Sequence, residues 1–118
     1  MKVLCVAFGL IIALVAPHRA LAFVDCEGTV NTLSMQMDTL GLVTLSLSGG
    51  PTYTYLCAVD GTVNGVSPTV CRTMYATLVT AKTTGKRVLI RFNDHASCSA
   101  IASWTLAGAL GWTIVLTD

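Results

Sequence analysis

Four cysteines (Cys26, Cys57, Cys71 and Cys98), four aromatic residues (Tyr53, Tyr55, Trp104 and Trp112) and the polar run Asp94-His95-Ala96-Ser97 are the best placed groups for chemistry in this 118-residue chain. Thiols can hold zinc or oxidise in pairs. No C-x-x-C pair of the kind that builds zinc sites is present, and an even number of cysteines in a short exported domain is the signature of disulfides, so no metal is expected. Four thiols allow three pairings. Cys57 and Cys71 flank a compact loop, and joining them would fasten a helix to a sheet and contribute about 3 kcal/mol by loop closure. Cys26 would then pair with Cys98.

The remaining chemistry points away from an enzyme. Asp94, His95 and Ser97 have the residue types of a hydrolytic triad, but such groups normally converge from separate segments and need an oxyanion site. Residues this close together are expected to form a solvated turn. Asp25 and Glu27 fall on one face of an extended segment, whereas glycosidic acid/base work needs carboxylates across a cleft. Gly49-Gly50 lacks the Gly-x-x-x-x-Gly-Lys context of a phosphate cradle, and no cofactor is expected. Tyr53, Tyr55, Trp104 and Trp112 could supply a stacking face for a sugar, with Ser and Thr hydroxyls as hydrogen-bonding groups, although each also suits a hydrophobic core.

The N-terminal segment reads as an export signal. Lys2 precedes an apolar run from Val3 to Ala16, Pro17 ends it, and Ala20-Leu21-Ala22 has the small residues that a signal peptidase reads. Residues 1–22 are therefore expected to be removed, with Cys5, leaving residues 23–118 as one domain that is secreted or periplasmic. In that body five basic residues (Arg72, Lys82, Lys86, Arg87, Arg91) face six acidic ones (Asp25, Glu27, Asp38, Asp60, Asp94, Asp118). A net charge of about −1 offers no field for phosphate backbones, so nucleic acid is not an expected partner.

These groups must be positioned by short strands and one helix. Residues 28–36 are rich in β-branched and apolar types, Leu42 to Leu47 alternate with Thr44 and Ser46 opposite Leu45 and Leu47, and Tyr53, Tyr55 and Cys57 alternate after the Gly49-Gly50-Pro51 turn. They predict a three-stranded antiparallel meander. Asp60-Gly61 and Asn64-Gly65 tolerate positive φ and predict a loop or hairpin over 60–66. Ser67 suits an N-cap, Pro68 the first helical position and Gly85 the residue after the last turn. Between them Val70, Met74, Leu78 and Ala81 define an apolar face widened by Cys71, Tyr75 and Val79. Thr73, Thr77, Thr80 and Thr84 form a polar but uncharged face, a candidate subunit interface. Lys82 and Lys86 suit the negative end of the helix dipole. Arg87 to Phe92 predicts a fourth strand, and Trp112 to Thr117 a fifth.

No charge separates His95 from Asp118, a stretch long enough to cross a bilayer. Its cysteine, serines, threonines and glycines, and the lack of a basic flank, argue against a span. The expectation is two buried strands joined at Gly108-Ala109-Leu110-Gly111.

The order of Cys57, Val66-Ser67, Cys71, a helix and then Thr83-Thr84-Gly85-Lys86-Arg87-Val88-Leu89-Ile90-Arg91-Phe92 resembles the B subunit of subtilase-type AB5 toxins and related small exported bacterial proteins. The resemblance covers about residues 53–92. It implies a small OB-like antiparallel barrel, a homo-oligomer in the form of a five-membered ring, and recognition of sialylated cell-surface glycans. No glycan-contacting residue is carried over from that family. The expectation is thus a mainly β, disulfide-stabilised OB-like barrel with one α-helix, acting as an exported, non-enzymatic binding module. The alternative is a monomeric protein-binding factor or inhibitor on the same scaffold.

Overall fold

The computed structural model describes residues 23–117, with side chains described as far as Gly111. The export signal expected over residues 1–22 and the Trp112 side chain lie outside the described residues. The elements are β1 (Phe23–Met35), β2 (Leu42–Leu47), β3 (Thr54–Ala58), α1 (Pro68–Thr84), β4 (Arg87–Asn93), a 3₁₀ turn at Cys98–Ala100, and β5 (Leu110–Thr117). All five strands join one antiparallel sheet in the order β3-β2-β1-β4-β5. The expected meander is present as β1, β2 and β3, and the described residues are mainly β with a single α-helix.

The first strand begins five residues earlier than its β-branched run suggests, and its length organises the sheet. Its N-terminal half pairs with β4, from Phe23↔Asn93 to Thr29↔Arg87, and its C-terminal half pairs with β2, from Val30↔Leu47 to Met35↔Val43. The change of partner falls where the strand bends. Two features provide the bend: a register shift between Val30 and Thr32, and Gly28, where a Cβ would overlap the Ser48 carbonyl oxygen. Asn31 lies in the shift, and its carbonyl accepts a 2.7 Å hydrogen bond from Lys82 Nζ on α1. Lys82 thus anchors the helix end to the bend, a more specific role than the dipole alone assigns to it.

The core follows the period of two on β1 and β4, while β2 is buried on both faces. Cys26 and Val30 on β1, Val88, Ile90 and Phe92 on β4, and Val43, Leu45 and Leu47 on β2 are buried. On the outer face of β1 and β4, Asp25 sits opposite Arg91 and forms a two-pronged ion pair with N···O distances of 2.7 and 2.8 Å, while Glu27 lies 3.6 Å from Arg87. The paired acids hold strands together.

Ser67 caps α1 by accepting from the Val70 N–H at 3.4 Å, Pro68 occupies the first turn, and Gly85 ends it in the left-handed region at φ 71°. Cys71, Leu78 and Ala81 are buried, with Met74 and Tyr75 packed against the core. The predicted apolar face is wider than the one the sheet covers: Val70 is 51% exposed and Val79 37%. A flat sheet patch reaches only one stripe of a helix, and these two residues stand at its margins.

Both disulfides form, Cys57–Cys71 and Cys26–Cys98, with Cα–Cα distances of 5.6 and 5.7 Å. The first fastens α1 to β3 and the second fastens β1 to the 3₁₀ turn. The expected pair of buried strands before the C-terminus is corrected. One strand, β5, is present, and residues 101–109 form an irregular strap in which Ile101 and Ala107 are buried while Trp104 and Leu106 are exposed. Glycine at 108 (φ 78°) and the irregular backbone ahead of it prevent a ladder. The strap instead lies parallel to β3, with hydrogen bonds Trp104 N–H to Tyr53 O (2.9 Å), Tyr55 N–H to Thr105 O (3.0 Å) and Ala107 N–H to Tyr55 O (3.0 Å). The β3 edge of the sheet is thereby covered by the same chain segment that continues into β5 at the opposite edge. Among the described residues no helix is long and apolar enough to cross a membrane.

Candidate ligand-binding face

The strap carries Trp104 to the start of β3, where its ring lies on that of Tyr53 with centroids 4.7 Å apart and planes within 4° of parallel. Tyr55 is tilted by 60° at 6.4 Å from Trp104. Three of the four aromatic residues singled out in the sequence therefore converge on one surface, although they come from positions some fifty residues apart. The core reading is overturned for Trp104, which is 59% exposed, and for Tyr53, which is 37% exposed; Leu106 beside them is 54% exposed.

Both members of the stack have left-handed backbones, φ 49° at Tyr53 and 59° at Trp104. Bulky side chains seldom adopt that region, and each instance costs about 1–3 kcal/mol unless its surroundings impose it. Here they do. Tyr53 donates its N–H to Ser46 Oγ at 2.7 Å, and its carbonyl accepts from Trp104. The backbone strain orients two large rings outward and parallel.

Supporting residues fix the rest of the face. Gln36 Nε2 donates to the Tyr55 hydroxyl at 2.8 Å, tying the β1–β2 loop to the platform. Asn64, in the predicted 60–66 loop, donates both amide hydrogens to β3, to Tyr55 O at 2.8 Å and Leu56 O at 2.9 Å. It also accepts the Gly108 N–H on Oδ1 at 3.1 Å. One side chain thus joins β3 to the strap, while Cys98 anchors the strap's beginning through its disulfide. His95 Nε2 donates to the buried Ala107 carbonyl at 2.7 Å. Sequence reasoning marked Asn64 as a turn residue by its Asn-Gly signal and missed its role as a latch. Gln36 and Ser46 carried no signal of their role.

The triad reading of His95 is not realised. Its ring serves the strap, and Ser97 Oγ contacts Ser99 and caps the 3₁₀ turn by accepting from Ala100 N–H at 3.2 Å. On the outer sheet face, the Arg91 guanidinium hydrogen-bonded to Asp25 holds that carboxyl below its ordinary value and raises Arg91 in turn. Arg91 also lies 4.0 Å over the Phe23 ring. Among the described residues no group of three His, Cys, Asp or Glu could hold a metal ion.

The threonine face of α1 differs chemically from its sequence appearance. Thr73, Thr77, Thr80 and Thr84 each donate their hydroxyls back to helix carbonyls four residues earlier, at 3.3, 3.0, 3.0 and 2.7 Å. The hydroxyl hydrogens of this face are therefore engaged within the helix. Comparison with protein-family models, with curated proteins and with solved structures finds no match to this chain.

Proposed function

We propose that the chain is an exported, non-enzymatic binding module that takes the ring face of a cell-surface glycan on Tyr53, Trp104 and Tyr55. The observation that carries this reading is the exposed parallel stack of Tyr53 and Trp104, held by two left-handed backbones that nothing in ordinary core packing requires. Sugars offer a face of C–H groups that lies flat on an aromatic ring and a rim of hydroxyls for nearby polar groups. Five-stranded OB barrels bind oligosaccharides and oligonucleotides on the second and third strands and on the loops after strands one and four. Tyr55, Gln36 and Trp104 occupy the corresponding places. The balanced charge disfavours the oligonucleotide.

Two disulfides support an oxidising compartment. The resemblance to toxin B subunits adds a ring of five as the expected assembly, which light scattering would report as several chains per particle. A glycan array containing sialylated and neutral sugars tests the binding reading. Trp104→Ala is expected to weaken any hit about five- to tenfold, from roughly 1 kcal/mol of ring contact, without loss of folding. Silence of the wild-type protein across the array overturns the proposal.

A further inference from the structure

A concave feature that includes none of the three aromatic residues lies beside the hairpin that holds Asn64. It is a cleft of about 620 Å³ between the N-terminal half of α1, the 64–67 hairpin and the start of β5, with a floor at Ile90. This volume falls within the range of about 300–1,000 Å³ typical of small-molecule sites. Val70, Thr73, Met74 and Thr77 form a row along two turns of the helix, and Leu110 faces them.

Three observations define what the cleft can hold. No acidic, basic or histidine side chain lines it among the described residues. Four of its five polar side chains are already engaged within the protein, Thr73 and Thr77 with helix carbonyls, Ser67 with the Val70 N–H, and Asn64 with β3 and Gly108, and the fifth is the exposed Thr69. A ligand would therefore meet mainly aliphatic side chains, a methionine thioether and threonine side chains, with the Thr69 hydroxyl as a polar contact. Finally, Val70 sits on the apolar stripe of α1 yet is 51% exposed, so the stripe continues past the sheet into the cleft.

We propose that this cleft binds the hydrocarbon chain of a neutral lipid. A row running along two helical turns suits an elongated flexible chain, and the Met74 side chain can adapt to its contour. Among the described residues the wall holds no cation for an anionic headgroup, so the neutral class is favoured. The assignment is independent of the glycan-binding face.

Monolauroylglycerol, used below its micelle concentration, is a suitable probe, with native mass spectrometry and ¹H–¹⁵N NMR of residues 66–77 as readouts. Saturable binding of one molecule per chain is expected, with shifts centred on Val70 and Thr73. Val70→Glu places a carboxylate against the hydrocarbon and should weaken binding about tenfold or more. Thr80→Glu, on the same helix outside the cleft, should leave it unchanged. Because Val70 is half exposed, its substitution leaves the buried core intact. Absence of saturable binding by the wild type, or equal weakening by Thr80→Glu, overturns the proposal. So does a concentration-dependent dimer that Val70→Glu dissociates, since the cleft would then be covered by a second copy of the chain.

Discussion

Replacing Asn64 with alanine removes a side chain that makes three hydrogen bonds, to Tyr55 O, Leu56 O and Gly108 N. Each such bond contributes about 1 kcal/mol net, and the partners left behind lie between β3 and the strap, where only part of the loss is recovered from water. Asn64 also has a left-handed backbone at φ 54°, a region that asparagine tolerates and alanine does not, which adds about 1 kcal/mol. The sum is about 3–4 kcal/mol, a large share of a small domain's stability. Asn64→Gly separates the contributions, because it loses the hydrogen bonds but not the backbone conformation, and should be less destabilised than Asn64→Ala by about 1 kcal/mol. Asn64→Asp keeps the acceptor for Gly108 but sets a carboxylate against two carbonyl oxygens, so it should equal or exceed the alanine variant in damage. Urea unfolding of the oxidised protein, followed by far-UV circular dichroism, measures all three. A second readout is the near-UV signal of the Tyr53–Trp104 stack, which should fall in the same variants because the latch holds the strap that carries Trp104. Wild-type stability within about 0.5 kcal/mol for Asn64→Ala would refute the latch and, with it, the account of how the aromatic face is positioned.

The two disulfides should differ in effect. Removing Cys26–Cys98, which closes a 72-residue separation, is expected to cost about 4 kcal/mol, and removing Cys57–Cys71, with a separation of 14, about 3 kcal/mol. Paired Cys→Ser variants in denaturant titrations check the order, and only the first should disturb the strap and its near-UV signal. For Asp25, the carboxyl is held below its ordinary value of 3.8 by Arg91. Its stabilisation is thus fully present above that value and is lost as pH falls through the lower folded-state value. The melting temperature of Asp25→Asn should lie modestly below wild type at neutral pH, converge with it below pH 3.8, and approach it in high salt, since the pair is exposed and screened.

Much of the architecture was legible in the chain because it depends on local chemistry. Ser67, Pro68 and Gly85 mark the ends of α1, since caps act on groups within one turn. Alternation along 42–47 and 87–92 reveals β2 and β4; on β4 it marks the buried face, whereas β2 is buried on both faces, Thr44 and Ser46 included. The observed disulfide pairing is the one of three that the placement of the helix after the third strand favoured. The strap was not legible. Its apolar composition matches a buried strand, but Trp104 and Leu106 are exposed because backbone hydrogen bonds to Tyr53 and Tyr55, absent from any local pattern, hold it beside β3. The roles of Asp25, Glu27 and Lys82 were hidden for the same reason, since their partners are on other elements.

Sequence alone determined the thiol chemistry, the helix with its caps, the alternating strands and the absence of a basic field, because each arises from residue type and short-range spacing. Tertiary structure alone decided that Tyr53 and Trp104 should stack in solvent, that threonine hydroxyls should turn inward on their own helix, and that Asn64 should join two distant segments. Those outcomes depend on where remote backbone donors and acceptors meet, and that is settled only when the bent first strand brings both halves of the sheet together.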